Sequence, residues 1–201
     1  MVILLSVSGV AWLVLEVSLR VRDRSRGQGS TGQDRGTRAL NSALVVVAVV
    51  VADVLSAVIG KHSPLWIPGA GADGWPITAG LGWPIVAGLV IIWLGLALRI
   101  WAIVVLGRSF RTTVEVDAGQ AVVSRGPYRW VRHPSYTGLL LIAAGFGLAF
   151  SNWPGLVICL VVPAAATLRR IQVEESELTR VLGDPYLAYR DRTKRLIPGV
   201  W

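Results

Sequence analysis

The chain has 201 residues, 53% hydrophobic and only 16% charged, with a net charge of +8. Soluble domains carry about 25% charged residues, so a water-exposed globule is excluded, and the length suits one small bundle of membrane helices. The basic excess fits either nucleic acid or an anionic lipid surface, and the placement of the arginines decides between them.

The first apolar segment, Val2–Leu19, has no positive charge before it and arginines after it. It reads as a retained membrane helix with its N-terminus outside, not as a signal peptide. Gly27–Thr37, rich in Gly and Ser with charges of both signs, reads as a flexible connection. The second segment is Ala39–Gly60, with the run Leu44–Val51 at its centre. Gly69 to Gly74 has the spacing of a dinucleotide fingerprint, but that motif works only between a strand and a helix, and here it joins membrane helices. The third segment runs from about Ile77 to Leu106, its start left open by Pro76 and Pro84. Tyr136–Phe150 and Gly155–Leu168 flank Ser151-Asn152-Trp153-Pro154 and read as a helical hairpin whose far ends continue beyond the membrane. A spanning helix needs about 20 apolar residues. The first three segments meet or approach that length, and the last two are short. Cys159, the single cysteine, allows no intrachain disulfide or zinc spacing and reads as a small buried hydrophobe.

The expected fold is all-α: a multi-pass bundle of about five spans over 1–168, then a cytoplasmic helix and tail over 169–201. Of twenty Lys and Arg, six lie between the first and second segments, five between the third and fourth, and seven after the fifth. With five spans these eighteen share one face. The positive-inside rule makes that face cytoplasmic, which explains the charge without nucleic acid and suggests a bacterial inner membrane. Three ionisable residues fall inside spans: Glu16, explained by an i,i+4 pair with Arg20; Asp53, deeper and without a local partner; and Arg99, two turns from the inner end and able to snorkel or to line a cavity.

Chemistry is expected on the inner face. Ser124–Gly138 contains Gly126-Pro127-Tyr128 and Arg132-His133-Pro134-Ser135-Tyr136, with Pro134 placed to start a helix. Taken alone, it also fits a basic interfacial loop with aromatic anchors. In Arg170–Leu182, stopped by Gly183-Asp184-Pro185, the apolar stripe is Ile171, Leu178, Val181 and Leu182. Glu175 falls within that stripe, Glu174 on its margin and Glu177 away from it. A carboxylate on an apolar face needs a cationic or donor partner. His133 lies 19 residues before Asn152 and Glu174 lies 22 after it. Equal helical rise brings both to similar depth, so Arg132, His133 and Tyr136 are expected to meet Glu174 and Glu175.

These blocks, followed by Gly183-Asp184-x-Tyr186-x-x-Tyr189 and an Arg-rich stretch ending Ile197-Pro198, resemble the isoprenylcysteine carboxyl methyltransferase and phospholipid methyltransferase superfamily over roughly the last eighty residues. The resemblance implies an integral membrane enzyme that binds S-adenosylmethionine and acts on a hydrophobic, lipid-like acceptor. It implies a cofactor pocket of Gly126, Tyr128, Arg132, His133, Pro134, Tyr136, Gly138, Glu174 and Glu175, and a tail that folds back as a lid with Tyr189 and Arg192 near the reacting centre. Arg192, Glu175 and Tyr189 are the catalytic candidates. Thr193-Lys194-Arg195 departs from the carboxyl methyltransferase pattern toward the phospholipid type.

In-line methyl transfer needs alignment and exclusion of water, and no metal site is offered. Arg and His, with helix-start N–H groups, suit the cofactor's carboxylate. A carboxylate acceptor needs only positioning, for which Arg192 is suited, whereas an amine acceptor needs a base such as Glu174 or Glu175. A phospholipid-type N-methyltransferase, a nicotinamide-dependent membrane reductase and a non-catalytic membrane protein remain alternatives. Gly138, Gly145 and Gly147 would permit close helix contacts, within the chain or in an oligomer.

Overall fold

A computed structural model describes residues 2–25, 37–59, 63–69, 82–107 and 122–201. Lys61, His62, Arg108, Arg111, most of the Gly27–Thr37 connection and residues 70–74 lie outside them. Among the described residues six α-helices follow in order: α1 (Val2–Ser25), α2 (Thr37–Val58), α3 (Trp83–Leu106), α4 (Pro134–Ala149), α5 (Trp153–Leu182) and α6 (Asp184–Arg192). α1, α3 and α5 contain stretches long and apolar enough to cross a membrane, and α2 and α4 contribute shorter apolar stretches. The protein is an integral membrane helical bundle.

The helix ends follow local chemistry. α3 starts at Trp83 with Pro84 in its first turn, where a missing N–H costs nothing. α4 begins the same way at Pro134, earlier than the apolar run suggested. α5 is one unbroken helix of 30 residues, so no backbone break separates the fifth apolar segment from the polar helix after it. At about 1.5 Å per residue it outruns a hydrocarbon core about 30 Å thick; counted from Trp153, about 20 residues suffice to cross, and Glu174 and Glu175 emerge beyond. Gly183, at φ +60°, ends α5 with its N–H on the Thr179 carbonyl, a conformation that favours glycine.

α3 and α4 are antiparallel and meet almost backbone to backbone. A Cβ on Gly88 would lie 2.5 Å from the Gly145 carbonyl oxygen, and one on Gly95 would lie 2.7 Å from that of Gly138. Gly147 lies as closely against Leu156 and Cys159 of α5. These small residues therefore seat helices within the chain. α2 packs along α5 and also touches α4, and α1 touches α3. Leu5, Trp12, Val45, Ala48, Ile92, Ile142, Phe146 and Cys159 fill the shared core.

The intramembrane charges are arranged differently from the sequence expectation. Arg20 is exposed, and Glu16 instead lies 2.6 Å from Arg99 Nη2. Arg99 does not snorkel: it is 6% exposed and donates from Nη1 to both the carbonyl and the hydroxyl of Ser135, each at 2.9 Å. Tertiary pairing wins because a neutralised pair avoids a lone charge in lipid. Asp53 is exposed and follows Ala52, whose carbonyl accepts from Asn152 in the hairpin turn.

Candidate active site

The Ser124–Gly138 block is set by close packing and by the tail. Gly126–Arg129 forms a 3-10 turn. Gly126 sits at φ +59°, where a Cβ would lie 2.9 Å from Val105 at the end of α3, so this seat requires glycine. Tyr128 is buried, and its carbonyl accepts from the Tyr189 hydroxyl at 2.7 Å. Val131 and Lys194 form an isolated parallel bridge. Around it the Arg132 and His133 N–H groups donate to the Lys194 and Arg195 carbonyls, at 2.7 and 3.0 Å. Thr137 Oγ1 adds a bond to the Leu196 carbonyl at 2.9 Å. The tail thus folds back over the start of α4.

Two adjacent carboxylates organise the centre. Glu175, 7% exposed, takes Arg132 Nε at 2.8 Å and His133 Nε2 at 3.3 Å on one oxygen, and Arg195 Nε at 3.0 Å on the other. A carboxylate only accepts, so the contact requires the His133 proton on Nε2. Burial alone would raise the Glu175 pKa; hydrogen bonds from His133, Arg132 and Arg195 outweigh it and hold the pKa at about 2. Glu174, half-buried, accepts from the Tyr136 hydroxyl at 2.8 Å, and that hydroxyl accepts from Arg170 Nε at 2.7 Å. Arg132 reaches further, to the carbonyls of Arg190 and Thr193, so one guanidinium ties α5, the end of α6 and the tail together.

The structure brings together Arg132, His133, Tyr136, Glu174 and Glu175, and it attaches Tyr128 and Tyr189 through their own bond. Arg192 is not in the cluster. It is exposed, and its Nε bonds the Ala188 carbonyl of its own helix at 3.0 Å. Arg195 is the tail arginine on Glu175. Gly138 faces α3 through its contact with Gly95, and Pro134 is buried at the first turn of α4. Sequence reasoning missed Arg195, Arg170 and Tyr186. Arg170 stands four residues before Glu174, the spacing of facing residues on a helix, and Tyr186 stands three before Tyr189; Arg195 carries no such signal within its basic run. The Tyr186 hydroxyl is buried without a hydrogen-bond partner, within electrostatic reach of Glu175, Arg132 and Glu174. Burial pushes its phenol pKa up, so it is a neutral hydroxyl with an unused hydrogen-bonding capacity.

Residues 87–180 match the model of the isoprenylcysteine carboxyl methyltransferase family. Protein-S-isoprenylcysteine O-methyltransferase A of Arabidopsis thaliana is 32% identical over 163 residues, 80% of this chain and 79% of that protein. The Mus musculus protein-S-isoprenylcysteine O-methyltransferase is 31% identical over 130 residues, 62% of this chain and 44% of its own length. Among solved structures, the eukaryotic intramembrane Ras methyltransferase (isoprenylcysteine carboxyl methyltransferase) without a monobody superimposes with a TM-score of 0.55 and 30% identity. That superposition covers 59% of this chain and 43% of the solved one, so the chain spans less than half of that structure.

Proposed function

The chain belongs to the isoprenylcysteine carboxyl methyltransferase family of membrane enzymes, and from that premise we propose that it methylates the carboxylate of a lipid-linked acceptor, such as an isoprenylated cysteine, with S-adenosylmethionine as donor. The single observation that carries this reading is the contrast within the carboxylate pair. Glu175 is saturated by three donors, while next to it Glu174 gives one oxygen to Tyr136 and Tyr186 offers a buried hydroxyl with no partner. A polar ligand with a cationic amino group fits Glu174, and Tyr186 supplies a donor at its side.

When bound, S-adenosylmethionine would supply an activated methyl group, and its transfer to an acceptor carboxylate would need no base from the protein. The protein's part is alignment and dryness. Arg132, His133 and Arg195 clamp Glu175 and hold the tail over the start of α4, which keeps water from the reacting atoms. These residues thereby act chiefly through the lid. Glu175, with its pKa near 2, is a poor acceptor for a proton from an ammonium group near neutral pH. Glu175 is thus ill suited as the base that an amine acceptor would need, whereas a carboxylate acceptor needs none. The positive-inside rule supports a cytoplasmic site with the N-terminus outside, as in a bacterial inner membrane.

Purified full-length protein in lipid nanodiscs is expected to bind S-adenosylmethionine by calorimetry and to transfer labelled methyl to an S-prenylated N-acyl cysteine. The label should be lost in mild alkali, as a methyl ester is. Absence of cofactor binding by folded protein sinks the reading, and an alkali-stable label turns it to N-methylation.

A further inference from the structure

The stretch after α6 has two features that the clamp on Glu175 does not require. It closes into a loop: the Leu196 and Ile197 N–H groups both donate to the Trp201 carbonyl, at 3.0 and 2.9 Å, and Gly199 at φ +76° permits the turn. It also turns apolar side chains outward. Leu196 is buried, but Ile197 is 53% exposed, Val200 71% and Trp201 43%. Left in water, that surface costs free energy in proportion to its area.

Depth identifies what these side chains meet. Thr137, in the first turn of α4, bonds the Leu196 carbonyl at 2.9 Å, so the loop lies level with the start of the apolar run Pro134–Ala149. Near the same end α3 exposes Trp101, edge-on to the exposed Trp130 with ring centroids 6.2 Å apart. Tryptophans collect at the membrane–water boundary. Cations border this surface. The Arg129 guanidinium lies 3.9 Å over the Trp130 ring, and Lys194, whose N–H donates to the Trp130 carbonyl, is exposed. Between Pro185 and Trp201 four basic residues accompany one acid, Asp191. Apolar side chains flanked by exposed cations suit the headgroup boundary of an anionic bilayer. The loop is also joined to the site. The Arg195 guanidinium stands 5.3 Å from the Trp201 ring centroid, while its Nε bonds Glu175. A cation over an indole face is attracted to it, so whatever holds Trp201 also holds the arginine that closes the tail.

We propose that residues 197–201, with Trp130, are an interfacial anchor that seats in the anionic headgroup layer of the membrane the bundle spans, and that this seating keeps the tail closed over the carboxylate pair. The lipid contact stands on the fold; its effect on turnover rests on the methyltransferase reading above. If the loop served only to pack the tail, its outward side chains could be made polar without effect.

The test uses the full chain, one copy per nanodisc, in phosphatidylcholine alone or mixed with phosphatidylglycerol. Hydrogen exchange of the Leu196, Ile197 and Arg132 amides is expected to be about fivefold slower in the mixture, the worth of one basic residue at an anionic surface, and high salt should erase that step. Ile197→Ser with Val200→Ser, which leaves Arg195 and Trp201 in place, should speed this exchange about tenfold in both lipids. Lys194→Gln should remove most of the anionic step, and methyl transfer should fall wherever exchange rises. Equal exchange in the two lipids overturns the proposal, as does a double variant that exchanges like the wild type or a Lys194→Gln that keeps the full step. Protection that needs two copies per nanodisc overturns it as well and makes a second copy of the chain the occupant. Exchange at Ile67 reports folding; if it moves in the double variant, Lys194→Gln decides alone. Absence of S-adenosylmethionine binding by the wild type strikes the functional reading and leaves the exchange result standing.

Discussion

The two ends of the α4–α5 hairpin solve the same problem with different means. At the outer end the chain turns through Ser151 and Asn152 with neutral groups only. Asn152 is fully buried; its side chain accepts from the Gly155 N–H at 2.7 Å and donates to the Phe150 carbonyl at 3.1 Å. The segment after α2 closes over it, with Ile67 and Trp153 N–H groups donating to the Ser151 and Leu65 carbonyls. At the inner end the two helices are joined through Arg132, His133, Glu174, Glu175, Arg170 and Arg195. Holding two helices together does not require charge, because a buried ion pair is often no better than packed apolar residues. The inner end keeps its charges where the outer end does without them, and that surplus supports placing the proposed chemistry there.

The comparison breaks most severely at Glu175. Glu175→Gln leaves Arg132 and Arg195 facing each other without their counter-ion, and removing one partner of a buried pair costs about 3–5 kcal/mol. Methyl transfer should fall about 100-fold or more, with the tail released; hydrogen exchange of the Lys194 and Arg132 amides should rise while that of Ile67 does not. Acid should produce a weaker form of the same release. The Glu175 pKa is depressed from 4.5 to about 2 in the folded state. Its contribution is therefore fully present above about 4.5, and it is lost as the pH falls toward 2. The amount is roughly 3 kcal/mol at most. No titratable side chain takes part in the described hydrogen bonds of Asn152, so acid should expose the tail before the outer turn. Equal exposure of both ends at pH 3 would show that Glu175 does not hold the lid.

How much of this was legible in the sequence depended on whether the signal was local. The hairpin was legible because Ser151-Asn152-Trp153-Pro154 is a turn in its own right and because helical rise is constant, so counting residues from the turn brought His133 to the depth of Glu174, next to Glu175. The end of α5 was legible from Gly183 and Pro185. The partner of Glu16 was not. Arg20 satisfied the i,i+4 rule, and nothing in α1 shows that Arg99, eighty-three residues later, comes to the same depth. Arg195 was hidden for a related reason: in a run of basic residues, the one that reaches inward is selected by the parallel bridge of Val131 with Lys194, a tertiary event. The resemblance first read from the last eighty residues also proved too narrow, since the family match begins at residue 87 in α3. The hydrophobic pattern of α3 is generic, and the Gly88 and Gly95 contacts that seat α4 emerge only when the two helices pack.

The smallest expected effect sharpens the comparison from the other side. Asn152→Ala removes the cap on α5 and the donor to Phe150. Losing an N-cap costs about 1 kcal/mol, and the backbone pairs of Ile67 and Trp153 remain to hold the turn. For a chain of this size that corresponds to a fall in Tm of about 2–4 °C, measurable by thermal unfolding in detergent. Cofactor affinity and methyl transfer should not move, because the cap lies at the opposite end of α5 from Glu175. α4 offers one route by which they would: its tight seating on α3 through Gly145 and Gly138 means that a shift at the outer turn must slide the whole helix past Gly88 and Gly95 to be felt at Ser135. Close-packed interfaces resist such sliding. An Asn152→Ala protein with unchanged Tm but impaired methyl transfer would mean that α4 does slide, and that the outer turn sets the position of Arg99's partner at the inner one.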